Sequence, residues 1–161
     1  ARAAGARFMA TSSSPANAVR LRAMGAEAVI DYRQTPDWGD AVRRATGGQG
    51  ADHIIEIGEA GTLEQAIRAA ATGAQINLIG RPVGAPRVDP AILMLAMGAS
   101  YRRIAVGNQA DFKAMNRALS ALRIEPVIDR RFGPQAISEA LRYGAERGQF
   151  GKIVIHLDED A

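Results

Sequence analysis

The sequence contains no cysteine, and only 5% of its 161 residues are aromatic. Without cysteine the chain forms no disulfide and offers no thiolate ligand to a metal. It also lacks an apolar run long enough to span a bilayer, and no secretory signal is visible. The net charge is only +3, and the arginines are dispersed without an interleaved aromatic stripe. We therefore expect neither a membrane nor a nucleic acid as partner, and we expect a cytoplasmic location.

Short apolar runs alternate along the chain with segments of helical period, and 47% of the residues are hydrophobic, enough for a proper core. This alternation is typical of a parallel sheet with helical crossovers. Most runs are nearly continuous in Ile, Val and Leu, which predicts strands buried on both faces. The predicted strands are Arg7–Thr11, Ala28–Asp31, His53–Ile57, Gln75–Ile79 and Ile104–Val106. We expect an α/β fold with a Rossmann-like, doubly wound parallel sheet.

Start and stop signals predict helices between the strands. Thr35–Asp37 marks one helix start, and Gly47–Gly48 marks its end. Thr62 and Gln65 have the spacing of a capping box, and Gly73 is expected to close that helix. Two further helices are predicted on apolar stripes: one presents Phe112, Met115, Leu119 and Leu122, and the other begins at Pro134, buries Ile137, Ala140 and Leu141, and stops at Gly148.

The character of the chain changes after about Leu122. Residues 127–132 and 152–157 are strand-like but flank a lone helix, so we expect them to complete a different sheet. Glu159 and Asp160 are expected to form a frayed tail. We predict a nucleotide-binding domain over residues 1–123 and a C-terminal return segment of another domain over residues 124–161.

One element of a dinucleotide-binding fold is not found in the sequence. Such a fold has a G-x-G-x-x-G turn between its first strand and first helix, and this turn holds the pyrophosphate. We interpret Ala1–Arg7 as the end of that helix, so the first strand and the turn are expected upstream of residue 1. On this interpretation the chain alone binds a cofactor weakly and catalyses nothing.

Glycine follows three of the five predicted strands directly, at Gly58, Gly80 and Gly107. In an open parallel sheet, ligands bind at the carboxyl ends of the strands. Glycine at such an end lets the backbone lie against a flat ligand, and the alternative is a tight turn into the next helix. Three glycines at aligned strand ends favour a ligand groove.

Ser12 stands at the end of the second strand of the expected fold. A fold that binds NAD usually has Asp or Glu there to accept from the ribose 2′-hydroxyl, and that carboxylate repels a 2′-phosphate. Ser12 and Ser13 offer hydroxyl donors instead, and Tyr32 and Arg33 at the next strand end add a phenol and a cation. The sequence therefore favours NADP. The alternative for these serines is an N-cap of the following helix, which is the role expected of Ser14.

No catalytic or metal-binding group is predicted within the chain. His53 and His156 have no ligand pattern around them, and both are interpreted as structural. The triple serine lacks a G-x-S-x-G context. Asp31, Glu56 and Glu59 follow separate strands, so no paired-carboxylate catalyst is predicted from them.

Several segments resemble one family, in the order in which that family carries them. They are Ala-Gly-Ala-Arg (4–7), Ala-Thr-Ser-Ser-Ser (10–14), Leu-Arg-Ala-Met-Gly-Ala (21–26), Val-Ile-Asp-Tyr-Arg (29–33), Thr-Gly-Gly-Gln-Gly-Ala-Asp-His (46–53) and Phe-Gly-Lys-Ile-Val-Ile (150–155). Through them the chain resembles the medium-chain dehydrogenase/reductase family, on the side of the zinc-dependent alcohol dehydrogenase-like proteins. The resemblance covers essentially the whole chain.

The resemblance implies roles for individual residues. Ser12 matches the ribose-selecting position, Tyr32 matches a tyrosine that helps to hold the 2′-phosphate in the quinone oxidoreductase branch, and Lys152 matches a basic residue that reaches the cofactor phosphates. The other implied contacts are Ile57, Gly58 and Glu59 at the adenine side, and Ile79, Gly80, Arg81, Ile104 and Val106 at the nicotinamide carboxamide. Ser13, Arg33 and Asn108 complete the predicted cofactor site. Asn17 and Asn108 depart from the family pattern, since lysine and a Val-Gly-Ser-Arg segment are frequent at these places.

The resemblance also implies a function for the full-length protein. It would be an NAD(P)-dependent oxidoreductase that transfers a hydride between nicotinamide and an alcohol or carbonyl substrate, with zinc in an upstream catalytic domain as Lewis acid. This chain would bind and orient NADP or NAD. Two alternatives are open: a zinc-free quinone or enoyl reductase of the same superfamily, and a nucleotide-sensing module without catalysis. His53 and Glu56–Gly58 favour the zinc type.

Residues 90–106 predict an assembly surface. Pro90–Met97 is denser in apolar residues than one helix face needs, and it precedes the last predicted strand. A strand at the edge of a sheet invites pairing with another chain. We expect a homodimer through residues 90–106, and the alternative is that the run packs on its own domain.

Overall fold

A computed structural model describes residues 1–58, 61–80, 89–95, 98–146 and 148–157. The chain folds into two compact units, Ala1–Asn108 and Gln109–Ala161. This division falls ahead of residue 123, so the helix over Gln109–Ala121 belongs to the C-terminal unit. The domain boundary predicted after residue 123 stays a prediction. Among the described residues, no helix combines the length and the apolar character needed to cross a membrane.

The N-terminal unit alternates strands and helices, as the periodicity predicts. After a short 3₁₀ turn at Arg2–Ala4, the elements are β1 (Met9–Thr11), α1 (Pro15–Ala23), β2 (Ala28–Ile30), α2 (Trp38–Ala45), β3 (Ala51–Glu56), α3 (Leu63–Ala69), β4 (Ala70–Ile79), α4 (Pro90–Leu95) and β5 (Ser100–Ile104). Two predicted strands differ in their bounds. β4 ends at Ile79 as predicted but begins at Ala70, directly after α3, and β5 ends at Ile104, where the predicted strand had begun.

All strands of this unit run parallel and form two sheets, β1–β2 and β3–β4–β5. In the doubly wound order 3-2-1-4-5-6, β2 and β1 fit positions 3 and 2, and β3, β4 and β5 fit positions 4, 5 and 6. Position 1, between β1 and β3, is not filled by a strand of the described residues. The expected Rossmann-like α/β fold is confirmed.

The hydrophobic core lies on one face of the β3–β4–β5 sheet. Ile67 of α3 and Ile76 of β4 are fully buried, and Ile92 of α4 packs in the same cluster. The side chains of a strand alternate between the faces, so Ile55 and Ile79 point to the other face, where they are 62% and 41% exposed. The prediction of burial on both faces is therefore wrong for these strands, because α3 and α4 cover only one face of the sheet.

The predicted capping box of α3 is wrong. Thr62 makes no side-chain cap of α3 in the part of the chain that the structure describes. The Gln65 side chain instead accepts a hydrogen bond from the Gly39 backbone N–H of α2 at 3.0 Å. A β-carbon on Gly39 would stand 2.7 Å from Cβ of Arg68, so glycine allows α2 and α3 to approach closely. Gly73, predicted to close α3, lies inside β4 with φ +73°.

Arg43 of α2 ties the end of α3 to the loop before β3. Its guanidinium donates to the backbone carbonyl oxygens of Gly48 at 3.0 Å, Arg68 at 2.8 Å and Ala70 at 2.6 Å. The last carbonyls of a helix have no partner within the helix. A planar guanidinium with five donors can satisfy several of them at once. Arg43 therefore joins three segments that are distant in sequence.

The C-terminal unit contains α5 (Gln109–Ala121), β6 (Ile128–Phe132), a 3₁₀ turn at Pro134–Ala136, α6 (Ile137–Ala145) and β7 (Lys152–Ile155). β6 and β7 pair in parallel as a separate sheet, as the sequence predicts for this segment. α5 contains no buried residue, and Phe112 of its predicted apolar stripe is 59% exposed. In α6, Ala140 is buried as predicted, but Ile137 and Leu141 are 44% and 69% exposed, so their predicted burial is wrong.

A polar cluster organises the C-terminal unit. Asp129 of β6 accepts a hydrogen bond from the Tyr143 phenol of α6 and one from the Phe150 backbone N–H at 3.0 Å. The Arg130 guanidinium carbon lies 4.1 Å from the centre of the Tyr143 ring. The hydrogen bond to Asp129 raises the pKa of Tyr143, and burial of the phenol adds to this rise. Asp129 thus links β6, α6 and the turn before β7.

Candidate functional site

The carboxyl ends of β1 and β2 lie side by side and carry a pair of hydroxyl groups. The parallel register places Thr11 opposite Ile30. Directly beyond these residues, Ser13 Oγ and Tyr32 Oη are 2.9 Å apart and hydrogen-bonded. One hydroxyl must donate to the other, so the pair keeps one O–H that can donate to a ligand. The structure thus brings together two side chains that the sequence predicts at one site.

The two other serines of the triplet have different roles. Ser14 Oγ accepts from the Asn17 backbone N–H at 3.3 Å and caps α1, which begins with Pro15. The predicted N-cap is confirmed. Ser12 Oγ accepts from the Ser14 backbone N–H at 3.2 Å, which fixes its oxygen at the end of β1. Its hydroxyl proton has no acceptor among the described hydrogen bonds, so Ser12 retains a donor for a ligand.

Asp31 shapes the turn that carries Tyr32 and Arg33. Its Oδ1 accepts from the backbone N–H of Arg33 at 2.9 Å and of Gln34 at 3.4 Å. Aspartate at the end of a strand commonly stabilises a turn in this way. The side chains of Tyr32 and Arg33 are exposed beside the hydroxyl pair. Sequence reasoning assigned no role to Asp31, although an aspartate that ends an apolar run was the signal available.

The end of β3 is closed by Glu56. Its Oε1 accepts from the Gly58 backbone N–H at 2.6 Å and from the Thr62 hydroxyl at 2.7 Å. Ile57, between Glu56 and Gly58 in the sequence, has 75% of its surface exposed. Glu59, predicted at the same place, lies outside the described residues. The structure therefore places Ile57 and Gly58 at a strand end, as predicted, and adds Glu56 and Thr62.

The ends of β4 and β5 form the third part of the carboxyl edge. Ile79 and Ile104 are partners in the parallel register, and both side chains are partly exposed. Gly80 has φ +85°, and no atom of the described residues lies within 4 Å of the place where its β-carbon would stand. A ligand can therefore approach the Gly80 backbone closely. Val106 lies beyond β5 and is 98% exposed.

Three predicted site residues remain: Arg81, Asn108 and Lys152. Arg81 lies outside the described residues, and Asn108 is the last residue of the N-terminal unit. Lys152 begins β7 in the C-terminal unit, where its backbone N–H donates to Val127 O at 2.8 Å. The predicted contact of Lys152 with the cofactor phosphates stays a prediction.

The carboxyl edge offers hydroxyl donors, one exposed guanidinium and backbone accessible at glycine, which suits a ligand with phosphates and flat rings. Within residues 1–58, 61–80, 89–95, 98–146 and 148–157, no group of three or more His, Cys, Asp and Glu side chains converges to hold a metal ion. The edge is equipped to bind and orient a ligand.

Comparison with known proteins assigns the family. Residues 1–121 match the family described as zinc-binding dehydrogenase. A zinc-type alcohol dehydrogenase-like protein of Schizosaccharomyces pombe is 33% identical, over 97% of this chain and 46% of the relative. An L-threonine 3-dehydrogenase of Symbiobacterium thermophilum is 30% identical, over 82% of this chain and 38% of the relative.

Solved structures agree with this assignment. A candidate alcohol dehydrogenase from Sinorhizobium meliloti has a TM-score of 0.83 at 35% identity, covering 97% of this chain and 45% of that one. An NAD-dependent alcohol dehydrogenase has a TM-score of 0.80 at 29% identity, covering 96% of this chain and 45% of that one. The chain spans less than half the length of these relatives. The predicted resemblance is confirmed, and the chain belongs to the zinc-binding dehydrogenase family, with a Rossmann-like fold.

Proposed function

We propose that this chain is the cofactor-binding portion of an NAD(P)-dependent oxidoreductase that transfers a hydride between nicotinamide and an alcohol or carbonyl substrate. The hydroxyl pair of Ser13 and Tyr32 carries the proposal. It lies at the carboxyl ends of the strands at positions 2 and 3 of a doubly wound sheet, where such folds bind the cofactor ribose. The family assignment supports the same function.

The residues at this edge fit a dinucleotide with a 2′-phosphate. Ser12, Ser13 and Tyr32 offer hydroxyl donors, and Arg33 offers a cation. β1 ends without the carboxylate that would repel this phosphate. Asp31 directly precedes Tyr32 in the sequence. Its Oδ1 accepts from the backbone N–H groups of its own turn. We therefore propose NADP as the preferred cofactor and NAD as the weaker one.

In the proposed mechanism this chain orients the cofactor. When bound, nicotinamide supplies the carbon that accepts or donates the hydride. Ser12, Ser13 and Tyr32 would hold the ribose and its phosphate, and Ile57 and Gly58 would cover the adenine side. The backbone at Ile79–Gly80 and at Ile104–Val106 would bind the carboxamide and so orient the nicotinamide. Such positioning lowers the entropic part of the barrier.

Zinc dependence is a separate part of the proposal. The described residues offer no convergent ligand group for zinc, so no step through a metal is assigned to this chain. The relatives are about twice as long, and we propose that residues of the full-length protein outside this chain bind the zinc. The open alternative is a zinc-free quinone or enoyl reductase. Metal analysis of the purified full-length protein, with one equivalent of zinc per chain expected, distinguishes the two.

We also propose a homodimer through residues 90–106. β5 is an edge strand whose five residues are all exposed, including Tyr101 and Ile104. In α4, Leu93 and Met94 are 46% and 78% exposed. Residues 96 and 97 lie outside the described part of the chain.

The cytoplasmic location expected from the sequence stays a prediction.

Titration of the full-length protein with NADPH and NADH tests the proposed function. Tyr32→Phe removes one hydroxyl of the pair, and we expect about tenfold to a hundredfold weaker NADPH binding, the effect of a charge-assisted hydrogen bond. NADH binding is expected to change less, since it has no 2′-phosphate. Tyr101→Phe, on β5, is the matched control. A wild-type protein that binds neither cofactor would overturn the proposal, and so would equal losses for both cofactors in Tyr32→Phe.

A further inference from the structure

Three strand ends of the N-terminal unit share one hydrogen-bond pattern. In each, a side-chain oxygen at the strand end accepts a hydrogen bond from the backbone N–H two residues later. The pairs are Ser12 Oγ with Ser14 N at 3.2 Å, Asp31 Oδ1 with Arg33 N at 2.9 Å, and Glu56 Oε1 with Gly58 N at 2.6 Å. Each fixes the backbone of a loop at the edge where an α/β sheet binds its ligand.

Glu56 differs from the other two because the same oxygen also accepts a side-chain donor. The Thr62 hydroxyl donates to Oε1 at 2.7 Å, directly before α3. Hydrogen bonds to a carboxylate are shorter and stronger than those between neutral groups. Glu56 is half-buried, so water competes less for this oxygen than it would at an exposed site. One carboxylate therefore ties the end of β3 to the start of α3.

Gly58 is required for this arrangement. A β-carbon on Gly58 would overlap the Thr62 hydroxyl and would stand 2.8 Å from Glu56 Oε1. With both hydrogen bonds to Glu56 in place, a side chain at residue 58 would therefore collide with the atoms that form them. The arrangement restrains the backbone on both sides of Ile57, whose surface is 75% exposed. An exposed apolar side chain on a restrained backbone at a ligand-binding edge suits contact with the flat face of a ring.

We propose that Glu56 is a positioning residue for the adenine side of the cofactor, acting through Gly58 and Ile57. This inference rests on the proposed function. Glu56 does not itself contact the cofactor; it fixes the backbone from which Ile57 covers the ring. The competing explanation is that Glu56 only links β3 to α3. If Glu56 is a positioning residue, cofactor affinity falls when the end of β3 becomes more mobile; if it is only a structural link, the affinity does not change.

The test compares variants of the full-length protein. Glu56→Ala removes the acceptor, and Glu56→Gln keeps a neutral carbonyl oxygen that can accept from the same two donors. Glu64→Ala is the matched control, because it removes a carboxylate from α3 that pairs only with Arg68 among the described ion pairs. Two quantities are measured in each variant: the hydrogen exchange of the Gly58 amide without cofactor, and the dissociation constants of NADPH and NADH.

We expect Glu56→Ala to speed Gly58 exchange by about tenfold to a hundredfold and to weaken both cofactors by about five- to thirtyfold, as for the loss of a charge-assisted hydrogen bond. Both cofactors contain adenine, so their losses should be equal, unlike those of Tyr32→Phe. Glu56→Gln should recover most of the wild-type affinity, and Glu64→Ala should match wild type. If Glu56→Ala does not fold, Thr62→Val removes one of the two hydrogen bonds and should weaken both cofactors by about threefold.

Faster exchange with unchanged affinity would overturn the inference and leave Glu56 a structural link only. Unchanged exchange in Glu56→Ala would also overturn it. A wild-type protein that binds no nicotinamide cofactor overturns the proposed function instead. In that case Gly58 exchange still shows whether Glu56 fixes the strand end, and the inferred action on a cofactor is refuted together with the function.

Discussion

The two sheets of the N-terminal unit differ in what they bury and what they present. The β3–β4–β5 sheet packs against α3 and α4 around Ile67 and Ile76, which are fully buried. None of the residues of β1, α1 and β2 is buried, yet their ends carry the hydroxyl pair and the exposed arginine. We therefore expect stability and the proposed cofactor selection to depend on different sheets, so that substitutions should separate the two properties.

The largest expected effect is on the stability of the β3–β4–β5 half. Arg43→Met leaves the carbonyl oxygens of Gly48, Arg68 and Ala70 without their donor. We expect the free energy of unfolding to fall by about 2–4 kcal/mol, since the partly buried acceptors of Arg68 and Ala70 lose charge-assisted hydrogen bonds. Urea unfolding of the full-length protein measures this.

Arg44→Met is the control for that variant, because Arg44 is the exposed neighbour on the same helix. A change within about 0.5 kcal/mol is expected of it. The ratio of NADPH to NADH affinity should stay at the wild-type value in both variants. A changed ratio in Arg43→Met would show that the two sheets are not independent.

The next effect concerns selection at the β1–β2 edge. Ser12→Asp puts a carboxylate where the 2′-phosphate is proposed to bind, and the two negative charges repel each other. We expect the NADP/NAD ratio of kcat/KM to fall by about tenfold to a hundredfold, with little change in stability. Steady-state kinetics with both cofactors check this.

Ser14→Asp is the matched control for the added charge. Aspartate is as good an N-cap as serine, so α1 should keep its capped start. The cofactor ratio should change much less than in Ser12→Asp. An unchanged ratio in Ser12→Asp would show that this strand end does not select the cofactor.

A smaller effect is expected on assembly at β5. Ile104→Lys places a charge on the exposed edge strand, and we expect the dimer dissociation constant to rise at least about tenfold. Ile137→Lys is the control, because Ile137 is similarly exposed in the C-terminal unit. Sedimentation of the full-length protein measures both, and a wild-type monomer at high micromolar concentration would refute the proposed dimer.

The smallest effect is a pH dependence in the C-terminal unit. The hydrogen bond to Asp129 raises the pKa of Tyr143 above its value in the unfolded chain, so folding favours the protonated phenol. The stability from this bond is fully present below about pH 10, the unfolded value, and is lost as the pH rises through the folded pKa. The free energies of unfolding of wild type and Tyr143→Phe should therefore converge as the pH rises above 10. A difference that does not vary with pH would contradict this.

The sequence by itself determined the local features of this protein. Continuous apolar runs predicted the parallel strands, and the Ser14-Pro15 pair predicted the start of α1, because both depend on residues a few positions apart. The hydroxyls of Ser13 and Tyr32 were predicted at neighbouring strand ends, since parallel pairing brings the ends of successive strands together. The serial motifs also identified the family.

Only the tertiary structure decided which hydrogen-bond partner each polar group has. Gln65 and Thr62 have the spacing of a capping box, but Gln65 bonds Gly39, 26 residues away, and Thr62 bonds Glu56. Capping, helix contact and loop closure offer hydrogen bonds of similar energy, so the packing of α2, α3 and β3 selects among them. Spacing along the chain cannot encode that choice, because it depends on distances between segments that only folding brings together.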